Sequence, residues 1–516
     1  MRGRLLEEQG QSVEALGEFY RGLLLDDRAP SFPRRVSELS ARLGDSERSL
    51  EFALRAVTLD STDARSQWLR GTALLNLGRD QEALEALTRA TRHDTTEAEY
   101  FRALARVAER LDRVELVAQS SRNVVMLEDD DAEAWFQLAA ADARMGRFAQ
   151  AETELAEAVE RNPIRPGIFF LQGWIQESLG RPARAADLYR QHLDIHRDDQ
   201  TARRRLVNVL AQENRYREAY EHARVLAKER PDDLETRAGE VELAFRLGRR
   251  KEANALLERW RLERPHDPEV TAQALTVMAR RGDAARASRE VEAWARSQPE
   301  DHGRWLVAGR VHGIAKQPER ALAAFGRAIE LAPDSLAPRV MLARFHQEAK
   351  RMAEAERAWL AAIEQFPDVG ALRLDLALCR EQQGDIPGAE AAVRDALERE
   401  PDNPVALNFL GYLLADHNRK LDEAVDLIRR ALVHDPRNGA YLDSLGWAFY
   451  RLGRLEEART HLEQAVALTG HPEVHEHLGD VYKDLRLLEL ANDQYRKSWA
   501  ADSTNERVRD KLEGSR

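Results

Sequence analysis

The strongest constraint in this sequence is a recurrence: two amphipathic segments joined by a tight turn return about every 34 residues along the chain. It is cleanest in Asn438 to Val466, NGAYLDSLGWAFYRLGRLEEARTHLEQAV. Leu442, Leu445 and Phe449 recur at helical spacing before the turn Leu452-Gly453-Arg454, and Leu455, Ala458, Leu462 and Ala465 do so after it. Small Gly446 and Ala458 stand where the two helices must approach, because a larger side chain at either point would push the axes apart.

The register holds along the chain. Prolines that cannot continue a helix close the second segment at Pro163, Pro231, Pro265, Pro299, Pro333, Pro367, Pro401 and Pro436. First helices are expected to open near 30, 64, 98, 132, 166, 200, 234, 268, 302, 336, 370, 404, 439 and 472. Glycines occupy the turn at Gly44, Gly78, Gly146, Gly180, Gly248, Gly282, Gly384 and Gly453, where a positive φ is expected; Asp112, Asn214, Lys316, Lys350 and Arg486 take the same slot elsewhere. An alanine marks the close approach in nearly every second helix, with Ser49 and Val117 as departures.

A length of 516 residues would ordinarily suggest several globular domains, but stacked repeats share one continuous core. The expected fold is therefore all-α, a right-handed superhelical solenoid of about fourteen to fifteen helical hairpins. Residues 1–29 are expected to form a truncated or capping first repeat, 30–505 a continuous array, and 506–516 a C-terminal capping helix and tail with Val508 and Leu512 facing inward. A net charge of −12 argues against a nucleic-acid binder, since phosphate contacts need a basic face. The single cysteine, Cys379, supports neither an internal disulfide nor a cysteine metal site. No apolar run is long enough to span a bilayer. The expected location is cytoplasmic if the chain is complete, and periplasmic or anchored at the outer membrane if an N-terminal leader is missing.

Trp135, Leu138, Gly146, Phe148, Ala151, Ala158 and Pro163 match the tetratricopeptide repeat pattern, and the chain resembles that family throughout. The resemblance implies a binding scaffold and names no partner. The last repeats, ALNFLGYLLAD, YLDSLGWAFYRLGRLEEA and HEHLGDVYKDL, are similar to bacterial exported lipoproteins that act as adaptors for carboxyl-terminal processing proteases. That likeness implies a periplasmic scaffold presenting an enzyme or its substrates.

In such an array the first helix of each hairpin lines the concave face, so its residues not needed for packing are the candidates for partner binding. Three groups stand out. Asn408, Tyr412, Asp443, Trp447, Tyr450, Glu476 and Asp480 place aromatic rings among carboxylates and an amide, a surface suited to an extended peptide or a helix. Phe136, Phe170 and Trp174 would form an apolar groove on neighbouring helices. Arg102, Arg106 and Arg110 make a basic ladder, continued by Arg204 and Asn208, that would take an acidic peptide. Each group has a plainer reading as packing or as a solvated charged face.

Catalysis is not expected: there is no phosphate-binding loop, zincin pattern or nucleophile elbow. No cofactor or metal is expected either, because His475 and His477, beside His471, point to different faces of one helix. The chain is expected to be an interaction scaffold or adaptor holding a peptide, helix or partner domain. The alternatives are a non-catalytic partner that recruits substrates for an enzyme acting in trans, such as a periplasmic protease or a glycosyltransferase, and a self-assembling structural component.

Overall fold

The computed structural model describes residues 2–264 and 267–513. Among the described residues there are 31 α-helices, one short π-helical turn and no strand. The chain divides into two compact units, 1–197 and 198–516. Each is an all-α solenoid of helical hairpins in which every helix packs on its neighbours in sequence.

First helices open at Ser31, Ala64, Ala98, Ala132, Ile168, Gln200, Leu234, Pro268, His302, Leu336, Ala371, Pro404, Gly439 and Pro472, within two residues of the expected starts. The local chemistry explains the regularity. Asp63, Asp131, Asp199, Asp233 and Asp301 each precede a first helix and accept its free backbone N–H groups. Pro163, Pro231, Pro299, Pro333, Pro367, Pro401 and Pro436 follow directly on the residue that ends the preceding helix, whereas Pro265 lies outside the described residues.

The turns carry positive φ at Gly44, Gly78, Gly146, Gly180, Gly248, Gly384 and Gly453, and equally at Asp112, Asn214, Lys316, Lys350 and Arg486. Gly282 departs from that expectation. Its hairpin turns through the π-helical segment Met278–Gly282 in place of a left-handed residue. Glycine is needed there for space: a Cβ would fall 2.6 Å from Cζ of Phe245.

The hairpin seam is as tight as the small residues imply. A Cβ on Gly446 would lie 2.6 Å from Cγ of Leu462 and 3.2 Å from the carbonyl oxygen of Ala458, which is itself fully buried. The C-terminal core runs from Ala343 to Val508 without interruption and includes Trp359, Leu410, Ile428, Phe449 and Tyr495. Cys379 is buried within it. At the end of the array, the helix Glu506–Glu513 lays Val508 on this core, and Lys511 bonds Glu476 and Asp480 at 2.7 Å each. At the other end, the seven-residue helix Arg2–Glu8 places Gly3 against the ring of Phe19. No described helix is long and apolar enough to cross a membrane.

Candidate functional site

Four consecutive first helices, Ala371–Gln382, Pro404–Asp416, Gly439–Arg451 and Pro472–Asp484, position the aromatic and acidic residues of the C-terminal repeats. Successive first helices pack side by side, so Tyr450 meets Asp484 and Asp443 meets His477, both pairs 34 residues apart and one position out of register. The Tyr450 hydroxyl donates to Asp484 at 3.0 Å. The Tyr412 hydroxyl reaches farther, donating to Glu473 at 2.9 Å across 61 residues of sequence. Tyr412 therefore bridges first helices that are not adjacent.

Carboxylates converge on this face. Burial raises the Glu381 pKa above the usual range, and the charges of Asp416 and Glu473 push it further, against His417. Burial also raises the Tyr412 pKa, together with the charges of Glu473, Asp416 and Asp443. Tyr450 is shifted upward by burial and by its bond to Asp484. The Asn408 Oδ1, one turn before Tyr412, is shielded from solvent and has no hydrogen-bond donor among the described residues. The face thus offers acceptors and negative charge beside two half-buried phenols.

Several expected contact residues serve the fold instead. Trp447 is only 6% exposed. Its ring stacks between His477, at 4.1 Å, and Tyr450, at 5.0 Å, while its N–H donates to Asp416 at 3.2 Å. Asp443, 7% exposed, is held by His477 at 2.9 Å. Glu476 is 4% exposed and, like Asp480, anchors the terminal helix through Lys511. Asp480 also accepts from Tyr495 at 2.8 Å. Asn408, Tyr412, Tyr450 and the Lys511-bound Asp480 are the members of this group that remain half-open.

The rings of the second group each have partners of their own, while Phe136 and Trp174 pack against one core cluster. Phe170 packs on Tyr189 and His192, Trp174 meets the edge of Phe148, and Phe136 is covered by the Arg165 guanidinium at 3.2 Å. The basic ladder is largely structural. Arg102 donates to Asp131 at 2.7 Å and Arg204 to Asp233 at 3.0 Å, in each case the carboxylate that caps the next first helix. Arg34 does the same with Asp63, and the sequence separation is 29 in all three pairs. Arg110 bonds the Leu75 carbonyl and Asp80. Arg106 is exposed and has no carboxylate partner among the described residues.

Sequence reading passed over Glu381, Asp416, Glu473 and His477 as members of the C-terminal site. A partial signal was available: Asp416 and Asp484 share the last position of their first helices, and His477 lies one position beyond the equivalent of Asp443. His475 and His477 have different partners, Gln494 and Asp443. No group of three or more metal-ligating side chains occurs among the described residues.

This combination, hairpins stacked in register and a polar face on their first helices, defines a helical-repeat protein of the binding-scaffold class. The tetratricopeptide repeat profile matches residues 40–98, 136–200, 340–404, 374–443 and 444–506, and a second profile of the same description matches 210–275 and 314–359. The chain belongs to the tetratricopeptide repeat family. It is 46% identical over 79 residues to the TPR repeat-containing protein PA4667 of Pseudomonas aeruginosa, a match covering 15% of this chain and 13% of that protein. It is 26% identical over 201 residues to the tetratricopeptide repeat-containing protein trd-1 of Caenorhabditis elegans, covering 37% of this chain and 26% of that one. The matches thus span about an eighth and about a quarter of these relatives' lengths. Among solved structures it resembles Naa15/Naa10 bound to HypK-THB, at 14% identity and a TM-score of 0.40 over 100% of this chain and 95% of that one. It also resembles the APC/C hetero-tetramer Cut9-Hcn1, at 16% identity and a TM-score of 0.37 over 99% and 95%.

Proposed function

We propose that this chain is a protein-interaction scaffold that holds a peptide, a helix or the edge of a partner domain on the first-helix face of its C-terminal repeats. The observation that carries this reading is the gathering of Glu381, Asp416 and Glu473 around Tyr412, from three different helices. Like charges drawn together on a half-buried surface repel one another, and a donor-rich or cationic segment relieves that repulsion on binding. The half-open phenols of Tyr412 and Tyr450 add contact area at small entropic cost. Tetratricopeptide arrays are typically non-catalytic, and no reaction is assigned to this one.

The likeness of the last repeats to exported bacterial adaptors supports a narrower form of the proposal. In it, the scaffold recruits substrates for a protease acting in trans. A photo-crosslinking residue placed at position 412 or 450, with a control at the exposed second-helix residue Arg357, tests the site in cells of the native organism. A partner captured at both groove positions and not at the control supports the reading. Equal capture at all three positions overturns it. Addition of the chain changing the turnover of a captured protease would establish the narrower form, and unchanged turnover would reject it.

A further inference from the structure

The middle of the second unit carries a surface of opposite sign. A cavity of about 770 Å³ opens between the first helices His302–Ile314 and Leu336–Glu348 and the π-helical turn Met278–Gly282. Five cations line it, Arg280, Arg310, Lys316, Arg344 and Arg351, against the one carboxylate of Glu348. Ile314, Met341 and Phe345 supply its apolar wall.

The central cation is not compensated. Arg310 is half-buried, donates to the hydroxyl of Thr276 at 3.1 Å, and leaves its Nε shielded from solvent without an acceptor. Burial lowers its pKa, and the neighbouring charge of Arg280 lowers it further. Among the described residues Arg280, Arg310, Lys316 and Arg351 have no carboxylate within ion-pair distance. By contrast, Arg102, Arg144, Arg204 and Arg373 on other first helices are each matched to an acid. An arginine drawn out of water without a counter-ion costs free energy that an incoming anion returns. The π-helical turn beside it breaks the otherwise uniform hairpin geometry, as such turns often do at functional positions.

We propose that this cavity is a second docking site, which takes an acidic polypeptide segment carrying an apolar anchor residue. The carboxylates of the segment pair with Arg310 and Arg280 and share Arg344 with Asp375, which lies 3.6 Å from it; a planar guanidinium can bind a carboxylate through two N–H donors. Its anchor lies against Met341, whose flexible thioether adapts to the shape of an apolar side chain. Phe345 packs on Phe325 at 5.7 Å between ring centres and a tilt of 51°, so the wall is a compact apolar patch and not a row of parallel rings spaced to take successive bases. This favours a peptide over a single-stranded nucleic acid. The inference rests on the reading of the chain as an interaction scaffold, but uses residues separate from the C-terminal face.

The test is fluorescence anisotropy of the full chain with a short labelled peptide in which Glu and Asp alternate with Leu and Phe. The same peptide with Lys replacing its acids serves as the control. The acidic peptide is expected to bind and the basic one not to. Arg310→Gln, and separately the exposed pair Arg280→Glu with Arg344→Glu, are expected to weaken binding by about tenfold or more with the helical circular-dichroism signal unchanged. Tyr412→Ala with Tyr450→Ala is expected to leave this binding intact, so failure here is distinguishable from failure of the C-terminal site. Equal affinity for both peptides, acidic-peptide binding that survives the Arg280 and Arg344 reversals, or displacement of the peptide by a weaker-charged single-stranded oligonucleotide at lower concentration would each overturn the proposal.

Discussion

His477 and Asp443 form a buried pair, Nδ1 to Oδ1 at 2.9 Å, directly beneath the ring of Trp447 and between two successive first helices. Burial alone would lower the His477 pKa, but the charge and hydrogen bond of Asp443, with Glu473 and Asp480 nearby, outweigh it and leave it above the ordinary value. A raised histidine pKa means that the folded state holds the proton more tightly than the unfolded chain. The stability it contributes is complete below about pH 6.5 and is lost as pH rises through the folded-state pKa. His312, His346, His461 and His475 are shifted the other way by burial and oppose this trend. The difference in melting temperature between wild type and His477→Asn isolates the pair. It is expected to shrink as pH is raised from 6 to 9, and a difference independent of pH would show that the pair is neutral.

Trp447→Ala should destabilise the C-terminal hairpins, because the ring is core and not an open contact. The expected loss is about 3 kcal/mol or more, the usual cost of deleting a buried large aromatic side chain. Urea denaturation monitored by circular dichroism measures it, and a midpoint unchanged from wild type would contradict the packing described.

Two glycines of the helices should respond with opposite signs. Gly446→Ala forces a methyl to within 2.6 Å of Leu462 and is expected to cost about 1–3 kcal/mol. Gly326, in the helix Pro318–Leu331, has nothing within 4 Å of its would-be Cβ. Gly326→Ala is therefore expected to stabilise by up to about 1 kcal/mol through helix propensity alone. Thermal melts of the two variants side by side provide the comparison.

Arg102→Ala should weaken the array modestly and leave partner binding alone, since the guanidinium bridges to the carboxylate that caps the next repeat. A partly exposed pair of this kind contributes about 1 kcal/mol or less. Asp131→Ala removes both the bridge and the cap, and should cost about 1 kcal/mol more than Arg102→Ala. Equal losses would mean that the cap contributes nothing.

The reach of local chemistry explains which residues were legible in the sequence. Capping aspartates, turn glycines and closing prolines act within a few residues of themselves, so their spacing places the first helices from Ser31 to Pro472 within two residues. The alanine of each second helix, such as Ala253 or Ala355, is buried because the period returns it to the same seam. Gly282 departs from the rule: its turn is π-helical, and the Phe245 ring of the preceding repeat lies where a Cβ would stand.

The partner-facing residues were harder to recognise, because the same side chain type serves as ligand or as strut according to what the next repeat places beside it. Arg102 and Arg310 occupy neighbouring slots on first helices, yet one is matched by Asp131 and the other meets only Thr276. Trp447 sits on the face expected to be open, but His477 and Tyr450 close over it. The order of residues thus sufficed for the family and for the hairpins, whose determinants are short-range and periodic. Exposure and charge balance at Tyr412, Trp447 and Arg310 were decided by tertiary stacking, which brings together side chains about 34 or more residues apart and leaves some of them without a counter-charge.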